Sequence, residues 1–149
     1  DLSRPSLSRL AGVQGAMLRL GLPFSFEKQY AYARFSLADG YKAMERLLET
    51  APDITAVFAM SDLMALGAIR ALHDHGLRVP QDISVTGYDG IALGQYSIPR
   101  LATIRQGMEQ LAVRSAKILL HNIKEPGTAV HEVVPFELIE GESVCKLNP

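Results

Sequence analysis

Cysteine, tryptophan and long apolar runs are scarce or missing in this chain of 149 residues. Its single cysteine, Cys145, excludes an internal disulfide and a zinc site of the Cys-x-x-Cys type. No apolar run approaches the roughly 20 residues of a membrane-spanning helix, and residues 1–9 lack the apolar segment of a secretory signal peptide. An excess of one charge is lacking too, since 15 basic and 16 acidic residues leave a net charge of −1. We therefore do not expect this chain alone to bind the phosphate backbone of a nucleic acid or a membrane surface.

The composition that remains is typical of one folded domain. Hydrophobic residues make up 48% and charged residues 21% of the chain, which is enough apolar side chain to build a core and argues against disorder. The length fits one ordinary domain. The chain starts at Asp1 and not at methionine, so we expect a processed product or a part of a longer protein.

Four segments carry apolar residues at helical spacing and are predicted to be helices. Their apolar faces are Leu10, Val13, Met17 and Leu20; Tyr41, Met44 and Leu48; Ala65, Ala68, Ile69 and Leu72; and Met108, Leu111, Ala112, Ile118 and Leu119. Glycine or proline follows each face, and Gly76 stands where a left-handed cap would end the third helix.

Short apolar or aromatic runs between these helices predict strands at residues 30–35, 56–60 and 83–87, and residues 130–139 are predicted to be extended. Residues 88–102 have no clean period and predict a long loop with room for a helical turn. Strands that alternate with helices at this spacing favour an α/β fold with a parallel sheet.

The carboxyl ends of the predicted strands carry polar and aromatic residues. The first predicted strand ends at Phe35 and Ser36, the second at Ser61 and Asp62, and the third at Tyr88 and Asp89. Ligands of open α/β sheets bind outside the carboxyl ends of the strands. An aromatic ring, two carboxylates and a hydroxyl at one rim predict a site for a neutral, hydroxyl-rich small molecule.

Five short motifs follow one another between residues 8 and 106. They are SRLAG at 8–12, FSLADGY at 35–41, SDLMALGA at 61–68, VPQDISVTGYD at 79–89 and PRLATIRQ at 99–106. In this order they resemble the successive sequence motifs of the lactose-repressor/galactose-repressor (LacI/GalR) family of transcriptional regulators. The rest of the chain, to about Ser143, is compatible with that family.

The resemblance implies an α/β fold of the periplasmic-binding-protein-like type I, a Rossmann-like lobe with a parallel sheet and flanking helices, here as an incomplete C-terminal part of an effector-binding domain. Residues 1–104 would be the C-terminal lobe without its first strand, residues 105–134 would return to the N-terminal lobe, and residues 135–149 would rejoin the C-terminal lobe and form a tail. Because a missing internal strand leaves an exposed sheet edge, we expect self-association or a swapped arrangement.

By the same resemblance, three effector contacts fall on Arg9, Phe35 and Asp89. A guanidinium suits paired sugar hydroxyls, an aromatic face covers the C–H side of a sugar ring, and a carboxylate accepts strong hydrogen bonds. Each residue has another interpretation. Arg9 could be a solvated arginine in the first turn of a helix, Phe35 a core residue of a strand, and Asp89 a turn-forming residue before Gly90, where many relatives have aspartate.

Ser61, Asp62 and Gln106 complete the predicted ligand-binding set. The family usually has asparagine at Ser61, so the shorter hydroxyl indicates a changed contact. Ser61 and Asp62 also suit the cap of a helix, and for Asp62 we favour capping and support of the site over direct contact. Gln106 lies at the implied crossover between lobes, as a ligand or hinge contact or as an exposed residue at the entry to a helix.

Nothing in the sequence predicts a cofactor, a metal site or catalysis. His73 and His75 point about 200° apart around a helix, so they do not share a metal ion easily. The sequence has no nucleophile-elbow pattern, no acid–base pair at a recognisable spacing and no glycine-rich phosphate loop.

The sequence therefore predicts the effector-binding and dimerisation region of a cytoplasmic, ligand-controlled repressor. Its partners would be a small-molecule effector, taken to be a carbohydrate, a second copy of the chain, and operator DNA through a headpiece outside this chain, with no membrane. Residues 91–96 and the helix after Phe35 are candidate dimer contacts. In the alternative, a solvated loop, Leu93 and Tyr96 would be exposed.

Two other functions share part of this pattern. A sugar-binding protein of a transporter has the same fold and cleft, and a signal peptide in the full gene would favour it over a helix-turn-helix regulator. An α/β enzyme with Asp62 or Asp89 as general base would turn over a bound sugar, but the sequence supplies no catalytic partners.

Overall fold

The structure, a computed structural model, describes residues 4–127 and 130–146. The three segments predicted above, 1–104, 105–134 and 135–149, each include a few residues outside this description, namely 1–3, 128–129 and 147–149. The helices are α1 (Arg4–Arg19), α2 (Phe26–Gln29), α3 (Leu37–Thr50), α4 (Asp62–Asp74) and α5 (Met108–Lys124), and the strands are β1 (Ala56–Phe58), β2 (Ser84–Thr86), β3 (Thr103–Gln106) and β4 (Phe136–Ile139). The four predicted helices are confirmed, and the predicted loop contains a short 3-10 helix, Ala92–Gln95.

The strands follow one another in the order β1, β2, β3 and β4. β1 and β2 are parallel, with Val57 opposite Val85. Single parallel bridges, Thr86 with Ala102 and Asp89 with Arg105, continue from β2 to β3, and β4 pairs antiparallel with β3. The predicted parallel sheet is confirmed at β1 and β2, while β3 is a strand that sequence patterning missed.

The core lies between β1, β2 and the two helices α3 and α4. Its largest fully buried apolar side chains are Met44, Leu72, Leu101 and Val85. α3 and α4 pack closely because Gly40 and Gly67 lie at their contact, where an added Cβ would overlap the backbone of the facing helix. Gly76 has a φ of +74° just after α4, as predicted for a left-handed cap.

The predicted strand at residues 30–35 is wrong. The backbone is extended there but pairs with no other strand of the described chain. These residues instead line one side of an apolar cavity of about 560 Å³, and β1 lines another side. A strand needs a neighbour for its backbone hydrogen bonds, and the cavity separates this segment from β1. The edge of β1 that faces away from β2 is therefore open, as expected for the sheet.

The amphipathic helix α5 buries none of its residues within this chain. Met108 and Leu119 of its predicted apolar face are 58% and 62% exposed. The helical spacing was right, but no layer of the described chain covers this face. Among the described residues, no helix is long and apolar enough to cross a membrane.

Candidate functional site

Arg9 of α1 reaches the carboxyl end of β1 and of β2. Its guanidinium donates to the carbonyl oxygen of Met60, lies 3.8 Å from the centroid of the Tyr88 ring and is 3.6 Å from Asp89 Oδ1. Only 15% of the Arg9 side chain is exposed. This is not the solvated first-turn arginine of the alternative interpretation, because three different groups hold its charged head.

Asp89 joins Arg9 to Gln106, which is the last residue of β3. Gln106 Nε2 donates to Asp89 Oδ1 at 2.8 Å. Burial raises the pKa of the Asp89 carboxyl, and the charge of Arg9 and the hydrogen bond from Gln106 partly oppose that rise. We call these three residues the Arg9–Asp89–Gln106 cluster.

The cluster keeps hydrogen-bonding capacity for a ligand. A carboxylate has about four acceptor positions and a guanidinium has five donors, and the cluster itself uses few of them. In the described part of the chain, Asp89 Oδ2 accepts from no protein donor. Adjacent donors and acceptors in a half-buried setting suit a ligand with neighbouring hydroxyl groups.

Ser61 and Asp62 begin α4 below this cluster, and both are buried. Ser61 is the N-cap, and its Oγ accepts from the backbone N–H of Met64 at 3.3 Å. Asp62 accepts from Thr103 Oγ1 at 2.5 Å and from the backbone N–H of Ile91 at 2.7 Å. Both carboxylate oxygens of Asp62 therefore have protein partners, which favours the supporting role over direct contact.

Phe35 lies at the apolar cavity, whose lining includes no residue of the Arg9–Asp89–Gln106 cluster. It is 49% exposed, comes just before the N-cap Ser36 of α3, and lines the apolar cavity together with Met60 and Met64. Met60 also accepts the hydrogen bond from Arg9, so this one residue contacts both the cavity and the Arg9–Asp89–Gln106 cluster. An exposed ring at its margin is not the core strand residue of the alternative interpretation.

Sequence reasoning placed Tyr88 at the carboxyl end of a strand but gave no role in the site to Tyr88 or to Thr103. The Tyr88 ring faces the Arg9 guanidinium, a cation–π contact, and its position beside Asp89 was a usable signal. Thr103 is 2% exposed and donates to Asp62. No local pattern marked Thr103, because its role depends on a residue 41 positions earlier.

No group of three metal-ligating side chains occurs within residues 4–127 and 130–146. His75 Nδ1 is 2.9 Å from the carbonyl oxygen of Ala71, one turn earlier in α4. His73 lies beside Asp74, with 3.5 Å between its Nδ1 and a carboxylate oxygen. The two histidines therefore have separate local contacts at the end of α4.

Comparison with known proteins gives a consistent set of relatives. Residues 2–144 match the family of periplasmic binding protein-like domains. The chain is 38% identical over 146 residues to the probable HTH-type transcriptional repressor ExuR of Bacillus subtilis, covering 97% of this chain and 44% of that protein.

Two solved structures have the same fold. The transcriptional regulator CelR in complex with cellobiose superposes with a TM-score of 0.88 at 35% identity, over 93% of this chain and 42% of that one. A LacI family regulator from Enterococcus faecium with bound ribose gives 0.83 at 33% identity, over 94% and 52%. The chain thus spans about half the length of these relatives or less.

Proposed function

The chain belongs to the family of periplasmic binding protein-like domains, and we propose that it supplies the effector-binding side of a LacI/GalR-type transcriptional repressor. The observation that carries the proposal is the convergence of Arg9, Asp89 and Gln106 at the carboxyl ends of β2 and β3. That edge of an open α/β sheet is where ligands bind. The three relatives described above are transcriptional regulators by name, so the transporter alternative gains no support from them.

We propose a carbohydrate as the effector class. Arg9 and Asp89 would bind neighbouring hydroxyls, and Phe35 at the cavity margin would cover the C–H face of the ring. The Ser61 hydroxyl accepts a hydrogen bond as N-cap and still has a proton to donate. Gln106 would contact the ligand or the crossover, and Asp62 would support the site. The solved relatives with cellobiose and ribose favour this class.

The regulatory part of the proposal concerns the whole protein. The effector would change DNA affinity by binding two lobe arrangements unequally, with a coupling of about 1–3 kcal/mol. Residues 1–104 and 135–149 would belong to one lobe and 105–134 to the other. The protein would act in the cytoplasm as a homodimer, bind operator DNA through a headpiece outside this chain, and catalyse no reaction.

Calorimetry on the complete gene product that contains this chain, with a panel of sugars and nucleosides, tests the site. We expect a sugar to bind with micromolar affinity, about −8 kcal/mol. Asp89→Asn and Phe35→Ala should each weaken that binding at least tenfold, because one removes a charged acceptor and the other removes the ring.

Matched controls are Asp53→Asn, the same change at the far end of the sheet, and Phe26→Ala, since Phe26 is also 49% exposed but does not line the cavity. Binding that is indifferent to both site variants contradicts the proposed site. If no sugar or nucleoside binds at all, the proposed effector class is wrong.

A further inference from the structure

The turn that carries Asp89 has an unusual backbone. Asp89 has a φ of +122° and Gly90 a φ of +73°. Glycine adopts such angles freely, but a residue with a side chain is strained there and keeps the conformation only when its neighbours enforce it. Something in the fold must therefore hold Asp89 in place.

The backbone N–H of Asp89 donates to the Ile104 carbonyl in β3 at 3.0 Å, and Asp62 binds the two ends of the turn. In an ordinary four-residue turn, the carbonyl of the first residue accepts from the N–H of the fourth. In the turn from Tyr88 to Ile91, these two groups form hydrogen bonds with Asp62. Its backbone N–H donates to the Tyr88 carbonyl at 2.8 Å, and its Oδ2 accepts from the Ile91 N–H at 2.7 Å.

The other carboxylate oxygen ties the same residue to β3. Thr103 Oγ1 donates to Asp62 Oδ1 at 2.5 Å, in a fully buried position. β3 also supplies Gln106, which donates to Asp89. One buried carboxylate therefore fixes the turn and the strand from which two members of the cluster project.

The surroundings are shaped to admit this carboxylate. A Cβ at Gly87 would overlap Asp62 Oδ1, and a Cβ at Gly90 would lie 2.6 Å from the Cα of Arg105 in β3. There is no space for a side chain at either glycine, so the turn, Asp62 and β3 are closely packed against one another.

We infer that Asp62 is a positioning residue, whose backbone amide and carboxylate hold the Tyr88–Ile91 turn in the strained conformation that presents Asp89 to Arg9 and Gln106. Its significance for effector binding rests on the proposed function. The inference that Asp62 holds the turn is independent of the proposed function, and it can be tested without a ligand.

The first test separates backbone strain from lost contacts by urea denaturation of the chain. Asp62→Ala removes both side-chain acceptors, and it is combined with Asp89→Gly or with Asp89→Ala. Both changes at Asp89 abolish the contacts of its side chain, but only glycine relieves the strain. We expect Asp62→Ala to raise the unfolding equilibrium constant at least tenfold in the Asp89→Gly background. In the Asp89→Ala background the rise should be at least threefold smaller, because the released turn relaxes there and recovers its strain.

If Asp62→Ala does not fold, Asp62→Asn is combined with the same two changes at Asp89 instead. The amide retains an acceptor for the Ile91 N–H, so it should recover part of the loss. An equal cost of the Asp62 change in both Asp89 backgrounds overturns the proposal, because Asp62 would then contribute nothing specific to holding the turn.

The second test follows the side-chain amide of Gln106 by NMR in folded protein. With Asp62→Asn, we expect its chemical shift and hydrogen exchange to move toward those of Asp89→Ala, in which the Gln106–Asp89 bond cannot form. A purely stabilising role would lower stability and leave this signal unchanged, and that result would also overturn the proposal. Neither test involves a sugar, so failure of the proposed function would be seen separately.

Discussion

At the scale of single residues, a bidentate ion pair between Arg78 and Asp82 lies away from the candidate site. Arg78 donates through Nε and a terminal nitrogen to the two oxygens of Asp82, at 2.9 and 2.8 Å, and its backbone N–H donates at 2.7 Å. These bonds lower the pKa of Asp82 from 3.8 to about 2. The fold therefore favours the ionised carboxylate.

We expect Arg78→Gln to raise the pKa of Asp82 toward its ordinary value, because the charged side-chain donors are lost while the backbone bond remains. Since the pKa is lower in the folded state, the stabilisation is present above pH 3.8 and is lost as the pH falls toward 2. Carboxyl NMR titration measures the pKa, with Asp82→Asn to assign the signal. Arg100→Gln, at a separate pair with Glu142, is the control, and an Asp82 pKa unmoved by Arg78→Gln contradicts the explanation.

At the scale of elements, the contact between α3 and α4 depends on two positions without side chains. A Cβ at Gly67 would overlap the Leu37 carbonyl and lie 2.8 Å from the Tyr41 nitrogen, and a Cβ at Gly40 would overlap the backbone of Met64. Backbone atoms cannot move aside as flexible side chains can. These two glycines therefore allow the close spacing of α3 and α4.

Gly67→Ala should therefore destabilise the chain by about 1–3 kcal/mol through overpacking. Gly12→Ala is the matched control, since Gly12 is also helical but has no atom within 4 Å of an added Cβ. There the better helix propensity of alanine should stabilise by up to about 1 kcal/mol. Urea denaturation measures both, and changes of the same sign and size at the two positions would contradict this account of the helix contact.

At the scale of the whole molecule, a large share of the apolar surface remains uncovered. α5 buries no residue, Phe136 of β4 is 71% exposed, and the free edge of β1 faces the apolar cavity. In the loop after β2, Tyr96 and Ile98 are 84% and 96% exposed. Exposed apolar surface of this extent favours association with other polypeptides.

We expect the chain alone to self-associate, because an open strand edge and uncovered apolar faces lower their free energy by pairing. Sedimentation velocity should show a concentration-dependent rise in mass. Phe58→Lys places a charge on the open edge of β1 and should reduce association. Leu18→Lys, at an 82% exposed position of α1, adds the same charge elsewhere and should reduce it less. A monomer at every concentration would refute the expectation.

Local spacing along the chain is enough to predict several parts of this protein. Apolar periodicity located α1, α3, α4 and α5, because helical hydrogen bonds and faces involve residues three or four apart. The short apolar runs located β1 and β2. The polar residues after those strands predicted the rim where Asp89 lies, since parallel strands bring their carboxyl ends together.

The remaining features depend on contacts between residues that are far apart in the chain. Residues 30–35 look like a strand locally but pair with nothing in the described chain, whereas β3, with little local signal, is a strand because β4 pairs with it. Arg9 meets a carbonyl 51 positions away, and the Asp62 carboxylate points at Thr103 and Ile91. Local propensity cannot specify such contacts, because they form only when the sheet and the helices α1 and α4 are already packed together.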